Sequence, residues 1–551
     1  LQDETFHVNQ TRAYCEGRWR QWDPKITTPP GLYLCGVAWA ETLRVAATLR
    51  RKLSFSSPSS PSSSPLPPLE SFCTTTTLRS INVLLSALCF VAAASVHRGL
   101  HFVSWQKRAK RGGPTTTTKV AAVVVSENRQ LAAQSYPLTL AAAALVALLP
   151  THAFYSFLYY TDVGALAAVL LSWSFSLRRR YWLSAVFGLV SLSFRQTSAV
   201  WCCFVLGDAA LRELALLLQQ GNEGEGGGGG GERRTTRGSD SSSNSSLLRE
   251  VAAVATALLE KRAAALRLVL LSCSPLFLPL LAAFAFVLWN GSLALGDKDN
   301  HSVSRHWAQG IYVSCFLFLA LFPALGKRED LIAALVEVSP VRAVVAEAGE
   351  EGAGASRRRN RRNRRVVALR PNVQGLRSFL SLFCFAWLAA AHGTIEHPFL
   401  LSDNRHYSFY AWRLVRKIAG EVGSPGRLFA TALAGAASFA WVRRRLLLSR
   451  SSSSMGFPQA WFLGFCLAAA GSLVPSPLLE FRYFTTAVAV AALAGAAPVR
   501  GSGNSSSPSS PPSPGQLALA LLLYVGVLAT VVRVFLMRPF EQDGELKRFM
   551  F

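Results

Sequence analysis

The side chains that could do chemistry come first in the chain. Residues 1–33 read LQDETFHVNQTRAYCEGRWRQWDPKITTPPGLY and carry Asp3, Glu4, His7, Glu16, Asp23 and Lys25 among Tyr14, Trp19, Trp22 and Tyr33. A carboxylate within hydrogen-bond reach of a hydroxyl can take its proton as that oxygen attacks an electrophile. Adjacent acids have a plainer reading too, as helix-capping or solvated groups, and both readings stand for Asp3 and Glu4. No apolar periodicity runs through the stretch, and Pro24 and Pro29-Pro30-Gly31 punctuate it. It therefore reads as irregular loop and short helix rather than core.

Five further polar strings interrupt apolar sequence: FYSFLYYTD (154–162), FRQTSAVW (194–201), NGSLALGDKDNH (290–301), HPFLLSDNRHYSFYAWR (397–413) and LLEFRYF (478–484). Ionisable residues near membrane depth are costly and are functional candidates by default. Here they are Asp162, Arg195, Lys298, Asp403, Arg405, His406, Glu480 and Arg482, with Tyr159, Tyr160, Asn404 and Tyr407 beside them. Each also has a structural reading. Asp162 can cap a helix starting near Val163, Arg405 and His406 can anchor an interface, and Arg482 can pair with Glu480 or snorkel. Tyr159 and Tyr160 can belong to an aromatic belt.

What positions these strings is a membrane. Half of the 551 residues are hydrophobic and the formal charge is +26. In a soluble protein that charge would suggest nucleic acid. Here it sits in short blocks, Arg178–Arg180, Arg357–Arg365 and Arg443–Arg445, between runs long enough to cross a bilayer. The positive-inside rule accounts for it better, and no nucleic-acid partner is expected. The apolar segments lie near 80–97, 136–150, 163–177, 182–209, 264–289, 309–325, 376–391, 427–442, 458–475, 484–498 and 516–537. The 182–209 run is interrupted by Arg195-Gln196 and reads as two half-spans, which gives about twelve crossings. The expected fold is all-α, a polytopic helical bundle.

The expected organisation is a first polar loop (1–33), an interfacial helix (34–53) and a Ser/Pro/Thr-rich insert (54–79). An N-terminal membrane module (80–209) and a disordered loop (210–262) follow, then a membrane pair (263–325) carrying loop 290–307. A basic loop (326–375) and a C-terminal membrane module (376–551) with loop 392–416 complete the chain. Alternating crossings put the basic and low-complexity segments on the cytosolic side and all the polar strings on the other. The ten cysteines are scattered, mostly in apolar runs, so neither a disulfide framework nor a zinc site is expected. No metal or cofactor is expected either. The absence of a Walker loop, GxSxG or HExxH weighs against nucleotide, serine-hydrolase and zinc-protease chemistry.

The first loop, DETFHVNQTRAYCEGRWRQWDPKITTPPGLY, resembles the signature of the dolichyl-phosphoglucose-dependent α-1,2-glucosyltransferase family of the endoplasmic reticulum. FYSFLYYTD, FRQTSAVW, NGSLALGDKDNH, LLSDNRHYSFYAWR, LLEFRYF and the ending KRFMF are similar to family strings in the same order. The resemblance covers most membrane segments and none of the Ser/Gly/Arg-rich inserts. Asn9 stands where the family usually has Pro, and Thr5 where it has Ile.

The resemblance implies a C-type glycosyltransferase that adds the terminal glucose to the lipid-linked oligosaccharide of asparagine-linked glycosylation. It implies dolichyl-phosphoglucose as donor, a diglucosylated dolichyl-diphosphate oligosaccharide as acceptor, and a lumen-facing site in the endoplasmic reticulum membrane. It also implies a further membrane helix ahead of Leu1. Carried over by motif, Asp3 is the first candidate for general base and Glu4 the second. Arg405, His406 and Arg482 are the donor-phosphate candidates. His7, Trp22, Asp23, Lys25, Tyr159, Tyr160, Asp162, Arg195, Asp403, Asn404 and Tyr407 are candidates for substrate contact. A mannosyltransferase of the same type is the nearest alternative. A transporter using intramembrane charge is a more distant one, since no internal repeat appears and the acids gather in one loop.

Overall fold

The computed structural model describes residues 2–54, 67–111, 136–224, 271–298, 302–337, 339, 341–347, 365–451, 457–497, 512–542 and 544–551, with scattered positions from 249 to 267. Side chains are described for most of these; those of residues 2 and 3 are among the exceptions.

Helices dominate. In chain order they are α1 (Gln2–Cys15), α2 (Gly31–Ser54), α3 (Thr75–Arg111), α4 (Tyr136–Ala147) and α5 (Pro150–Ser156). Next come α6 (Thr161–Leu177), α7 (Tyr181–Phe194), α8 (Ser198–Gly224), α9 (Leu278–Asn290) and α10 (Gln309–Leu325). After α11 (Arg328–Glu337) follow α12 (Val373–Gly393), α13 (Pro398–Ser402) and α14 (Tyr407–Ala419). The last four are α15 (Pro425–Ser451), α16 (Pro458–Leu473), α17 (Thr485–Ala496) and α18 (Pro514–Met537). Local chemistry sets several ends. Ser513 and Gln516 form a capping box around Pro514 at the start of α18. The side chain of Asn372 accepts the Gly375 N–H to open α12. Gly291, with φ of 69°, closes α9 in the left-handed conformation that glycine tolerates.

Three helices, at 75–100, 373–393 and 514–537, are long and apolar enough to cross a bilayer. The bent pair α4–α5, broken by 67°, makes a fourth, and shorter apolar helices fall at 161–177, 181–194, 274–290, 309–325 and 481–496. The expected break at Arg195-Gln196 is present between α7 and α8. At the centre lies α17, whose residues from Thr485 to Ala496 are almost all buried. Its run of Ala and Gly lets neighbouring backbones come close. Trp173, Trp201, Trp441 and Trp461 are buried in the same core. On the outside, Phe385, Leu388, Leu467, Leu519 and Leu522 are exposed. That is the pattern of a bundle whose solvent is lipid.

The structure corrects several expectations. The first loop contains a 14-residue helix, α1, because the prolines that punctuate it all lie beyond Cys15. The interfacial helix begins at Gly31 and runs 24 residues. α3 starts at Thr75, inside the segment expected to be low-complexity insert, and α8 continues through 210–224, where the composition predicts disordered loop. The basic loop 326–375 holds α11 and an antiparallel pair, β1 (Val341–Glu347) with β2 (Arg365–Pro371). A second short pair, β3 (Phe540–Gln542) with β4 (Glu545–Lys547), follows α18. Most of the inserts, at 55–66, 225–248, 348–364 and 498–511, lie outside the described residues. The cysteine reading is also corrected: Cys15 and Cys73 are disulfide-bonded across 58 residues. Their spacing carried no recognisable motif, and only the fold brings them together.

Candidate active site

The first loop is fastened to the bundle at several places. Arg79, at the start of α3, donates to both oxygens of Glu4, Nε to Oε1 at 2.7 Å and Nη2 to Oε2 at 2.6 Å. The Tyr159 N–H donates to the same Oε1 at 2.8 Å, and Glu4 is buried. The Cys15–Cys73 disulfide ties the end of α1 to the lead-in of α3. Gln196, at the α7–α8 break, donates to the Thr27 carbonyl at 2.6 Å. Finally, the backbone of the 290–297 loop lies against the first loop, with Leu295 N–H donating to Thr27 O and Asp297 N–H to Pro24 O, at 3.1 and 2.9 Å. Gly296 permits that approach: a Cβ there would sit 2.2 Å from the Pro24 carbonyl oxygen.

Beneath this loop, tyrosines and charges follow one another in contact. His7 Nδ1 is 2.8 Å from the Tyr33 hydroxyl, and its ring is edge-on to Tyr160. The Tyr159 hydroxyl donates to Leu32 O and touches Thr11, packed where Gly36 leaves no room for a Cβ. The Arg482 guanidinium lies over the rings of Tyr155, Tyr160 and Tyr483, within 5.4–5.6 Å of each centroid. Such stacking suits arginine's flat cation. Arg482 also pairs with Glu480, and Arg195 with Asp162, while Arg195 covers the other side of Tyr483. Two arginines and two carboxylates thus share one aromatic cage.

The 403–407 turn forms the remaining wall. Asp403 accepts from Arg405 Nε at 2.7 Å and from Arg405 Nη2, with His406 Nε2 3.7 Å away. Burial pushes the Asp403 carboxyl up, but the Arg405 hydrogen bonds and the nearby imidazole outweigh it and hold the group below the ordinary carboxylate range. This turn reaches the tyrosine cage through Phe551, whose carbonyl accepts from Tyr155 OH at 2.7 Å and lies 3.1 Å from His406 Nδ1.

Most of the sequence candidates therefore converge: Glu4, His7, Tyr159, Tyr160, Asp162, Arg195 and Arg482 around the cage, and Asp403, Asn404, Arg405, His406 and Tyr407 beside it. Trp22 packs edge-on against Tyr33 at the rim. Asp23 and Lys25 stay peripheral; the Asp23 carboxylate accepts the Lys25 N–H, and the Lys25 ammonium rests over Phe6. Lys298 is exposed and donates to Asn290 O. The side chain of Asp3 lies outside the described residues; its backbone is in the first turn of α1. Asp162 stands in the first turn of α6 and pairs with Arg195 rather than capping the helix, whose N-cap is Tyr160.

Buried polar atoms without a hydrogen bond are uncommon and cost roughly 1–3 kcal/mol each. Trp22 Nε1, Asp162 Oδ2, Asn404 Oδ1 and Tyr407 OH are among them here. Donors and acceptors of this kind fit a hydroxyl-rich ligand. Residues the sequence reading missed are Arg79, Tyr155 and Tyr483, while Glu480 pairs with Arg482 as one of the two structural readings had it. Arg79, a lone cation at the mouth of an apolar span, was the one with a visible signal.

Together these features define a mainly helical, membrane-type protein with an acid-bearing loop clamped over a buried arginine, carboxylate and tyrosine cage. Residues 1–493 match the DIE2/ALG10 family, and the chain belongs to that family. It is similar to the Dol-P-Glc:Glc(2)Man(9)GlcNAc(2)-PP-Dol alpha-1,2-glucosyltransferase of Arabidopsis thaliana, 29% identical over 88% of this chain and 83% of that protein. The Mus musculus and Homo sapiens proteins of the same name are 27% and 25% identical, each over 88% of this chain and 81% of their own length. No solved structure matches the chain.

Proposed function

We propose that this protein is a glucosyltransferase that moves glucose from dolichyl-phosphoglucose to a diglucosylated dolichyl-diphosphate oligosaccharide, forming the terminal α-1,2 linkage. What supports this reading, beside the family and the names of its relatives, is the set of unpartnered buried polar atoms on loops that meet at one end of the bundle. In this reading the chain is a multi-pass protein of the endoplasmic reticulum membrane with about twelve crossings in the C-type arrangement. Its site faces the lumen, where a disulfide such as Cys15–Cys73 persists. The first loop is the catalytic unit, the helices from α3 onward form the N-terminal membrane module, the 263–325 pair and the C-terminal membrane module, and the basic and low-complexity inserts face the cytosol.

The chemistry assigned to each residue follows from its surroundings. Glu4 accepts from Arg79 through both oxygens and from the Tyr159 amide, so it is anchored and poorly placed to take a proton. Asp3, one residue earlier on the same turn, is then the base. It withdraws the proton of the acceptor's 2-hydroxyl as that oxygen attacks the anomeric carbon and the bond to phosphate breaks. Attack opposite the leaving group inverts a β-linked donor to an α-glucoside through an oxocarbenium-like state. The departing phosphate takes the bonding pair and needs fixed positive charge rather than an acid. Arg482 and Arg405 supply it, with His406 as a hydrogen-bonding partner and Arg195 behind them. Asp162, Asn404, Tyr407 and Trp22 offer partners for sugar hydroxyls, and the rings of Tyr159, Tyr160 and Trp22 offer flat faces.

The test is transfer in microsomes that lack their own terminal glucosyltransferase, supplied with dolichyl-phosphoglucose. Gain of a third glucose by the diglucosylated lipid-linked oligosaccharide supports the reading. No gain from a well-folded protein overturns it.

A further inference from the structure

The segment Arg548–Phe551 touches three parts of the molecule that are distant in sequence: the end of α18, the 405–407 turn and α5. Arg548 Nη1 donates to the carbonyls of Phe535 and Leu536 at the end of α18, at 2.7 and 3.0 Å. Phe549 packs against Tyr407, Tyr410 and Phe540. Met550 is buried, and its backbone pairs in parallel with the 405–407 turn: its N–H donates to Arg405 O at 2.8 Å, and its carbonyl accepts from Tyr407 N–H at 2.9 Å. The Phe551 ring contacts Phe154 and Tyr407, while its carbonyl accepts from Tyr155 OH and faces His406.

We propose that this tail is a positioning strap that sets the Arg405–His406 turn against the Tyr155–Arg482 cage, and so builds the pocket for the donor's phosphate. Tyr155 is the positioning residue on the other side: one ring carries the Arg482 guanidinium on its face and the tail on its hydroxyl. A two-hydrogen-bond backbone pairing fixes the direction of a short turn in a way that side-chain packing alone does not. It adds main-chain hydrogen bonds on both sides of His406 to the packing of Tyr407 against the Tyr155 cluster. The proposal rests on the glucosyltransferase reading for the identity of the ligand, whereas the strap itself is a property of the fold.

The experiment compares the full chain with deletion of residues 549–551, Met550→Asp, Met550→Leu and Tyr155→Phe. It measures amide hydrogen exchange and the KM for dolichyl-phosphoglucose and for the acceptor separately. Deletion, which removes the Tyr407 amide's acceptor, and Met550→Asp, which puts a charge where Met550 is buried and displaces the pairing, are expected to speed exchange of that amide by about tenfold or more and to raise the donor KM by a similar factor. The acceptor KM and exchange within α6 stay unchanged, and Met550→Leu retains both values. Tyr155→Phe, which keeps the ring and loses one hydroxyl, raises the donor KM alone. Unchanged Tyr407 exchange, or a donor KM that does not move while wild type transfers glucose, overturns the strap. A wild-type protein that exchanges as expected but transfers no glucose overturns the function reading instead, and the phosphate half of the proposal with it.

Discussion

Arg79 holds Glu4 by both carboxylate oxygens, joining the first turn of α1 to the start of α3 across 75 residues of sequence. The pair is asymmetric: Glu4 is 4% exposed at its side chain and Arg79 35%. Glu4 is thus the buried partner, with its charge answered by one arginine and one backbone amide. That relationship separates two adjacent acids that look equivalent in the sequence.

It leads to opposite outcomes for two conservative changes. Asp3→Asn is expected to lower kcat by about 10²–10⁴ with protein abundance and melting temperature held, as loss of a general base does. Glu4→Gln keeps hydrogen-bonding capacity but loses the charge, and is expected to lower stability by about 1–3 kcal/mol through the mispaired arginine. Thermal unfolding of detergent-solubilised variants beside transfer rates distinguishes them. A Glu4→Gln protein that melts normally yet is inactive would move the base to Glu4.

The disulfide should be detectable and consequential. Maleimide labelling of denatured protein is expected to count two fewer thiols before reduction than after, and Cys15→Ser or Cys73→Ser removes that difference. A cross-link closing a loop of this size stabilises by about 4 kcal/mol in the chain-entropy account. Either variant should therefore melt earlier, and together they should cost no more than one alone. Equal thiol counts with and without reductant would remove the bond from the structure.

Arg195 and Asp162 form a largely buried pair, so removing one partner strands the other. Arg195→Met alone is expected to destabilise by about 3–5 kcal/mol, and adding Asp162→Asn should recover part of that loss. A double-mutant cycle on melting temperature reads the coupling directly. Strictly additive losses would mean the two do not interact.

Arg482→Lys keeps the charge and loses the planar fork that lies over three tyrosine rings. The expected result is a drop of about 10²-fold in kcat/KM, carried by the donor, with the protein still folded. Wild-type kinetics in this variant would take Arg482 out of the phosphate site.

His306 gives the protein an acid-side limit. Burial pushes its imidazole down to about 4, against the opposing pull of the Ser476 and Pro477 backbone. The unfolded chain titrates near 6.5, so the folded state favours the neutral ring. Its contribution is complete above about pH 6.5 and is lost progressively as pH falls toward the folded value, because the unfolded chain then binds the extra proton. Melting temperature is expected to decline across that window, and His306→Gln to flatten the slope. An unchanged slope in the variant would assign the decline to other groups.

Sequence alone determined the parts of this protein that depend on local composition. The mainly helical, apolar character, the arginine blocks and the break at Arg195-Gln196 follow from burial and charge within a few residues of each position. The ordered polar strings, from DETFH to LLEFRYF, lie within the residues that match the family. Tertiary structure decided what each polar residue does, because its partner lies far away in the chain. Cys15 meets Cys73 across 58 residues, Glu4 meets the Tyr159 amide across 155, and Tyr155 meets Phe551 across 396. No pattern of spacing encodes such pairs. They exist because the bundle brings the polar ends of its helices to one place, where a buried charge or hydroxyl must find a partner or wait for a ligand.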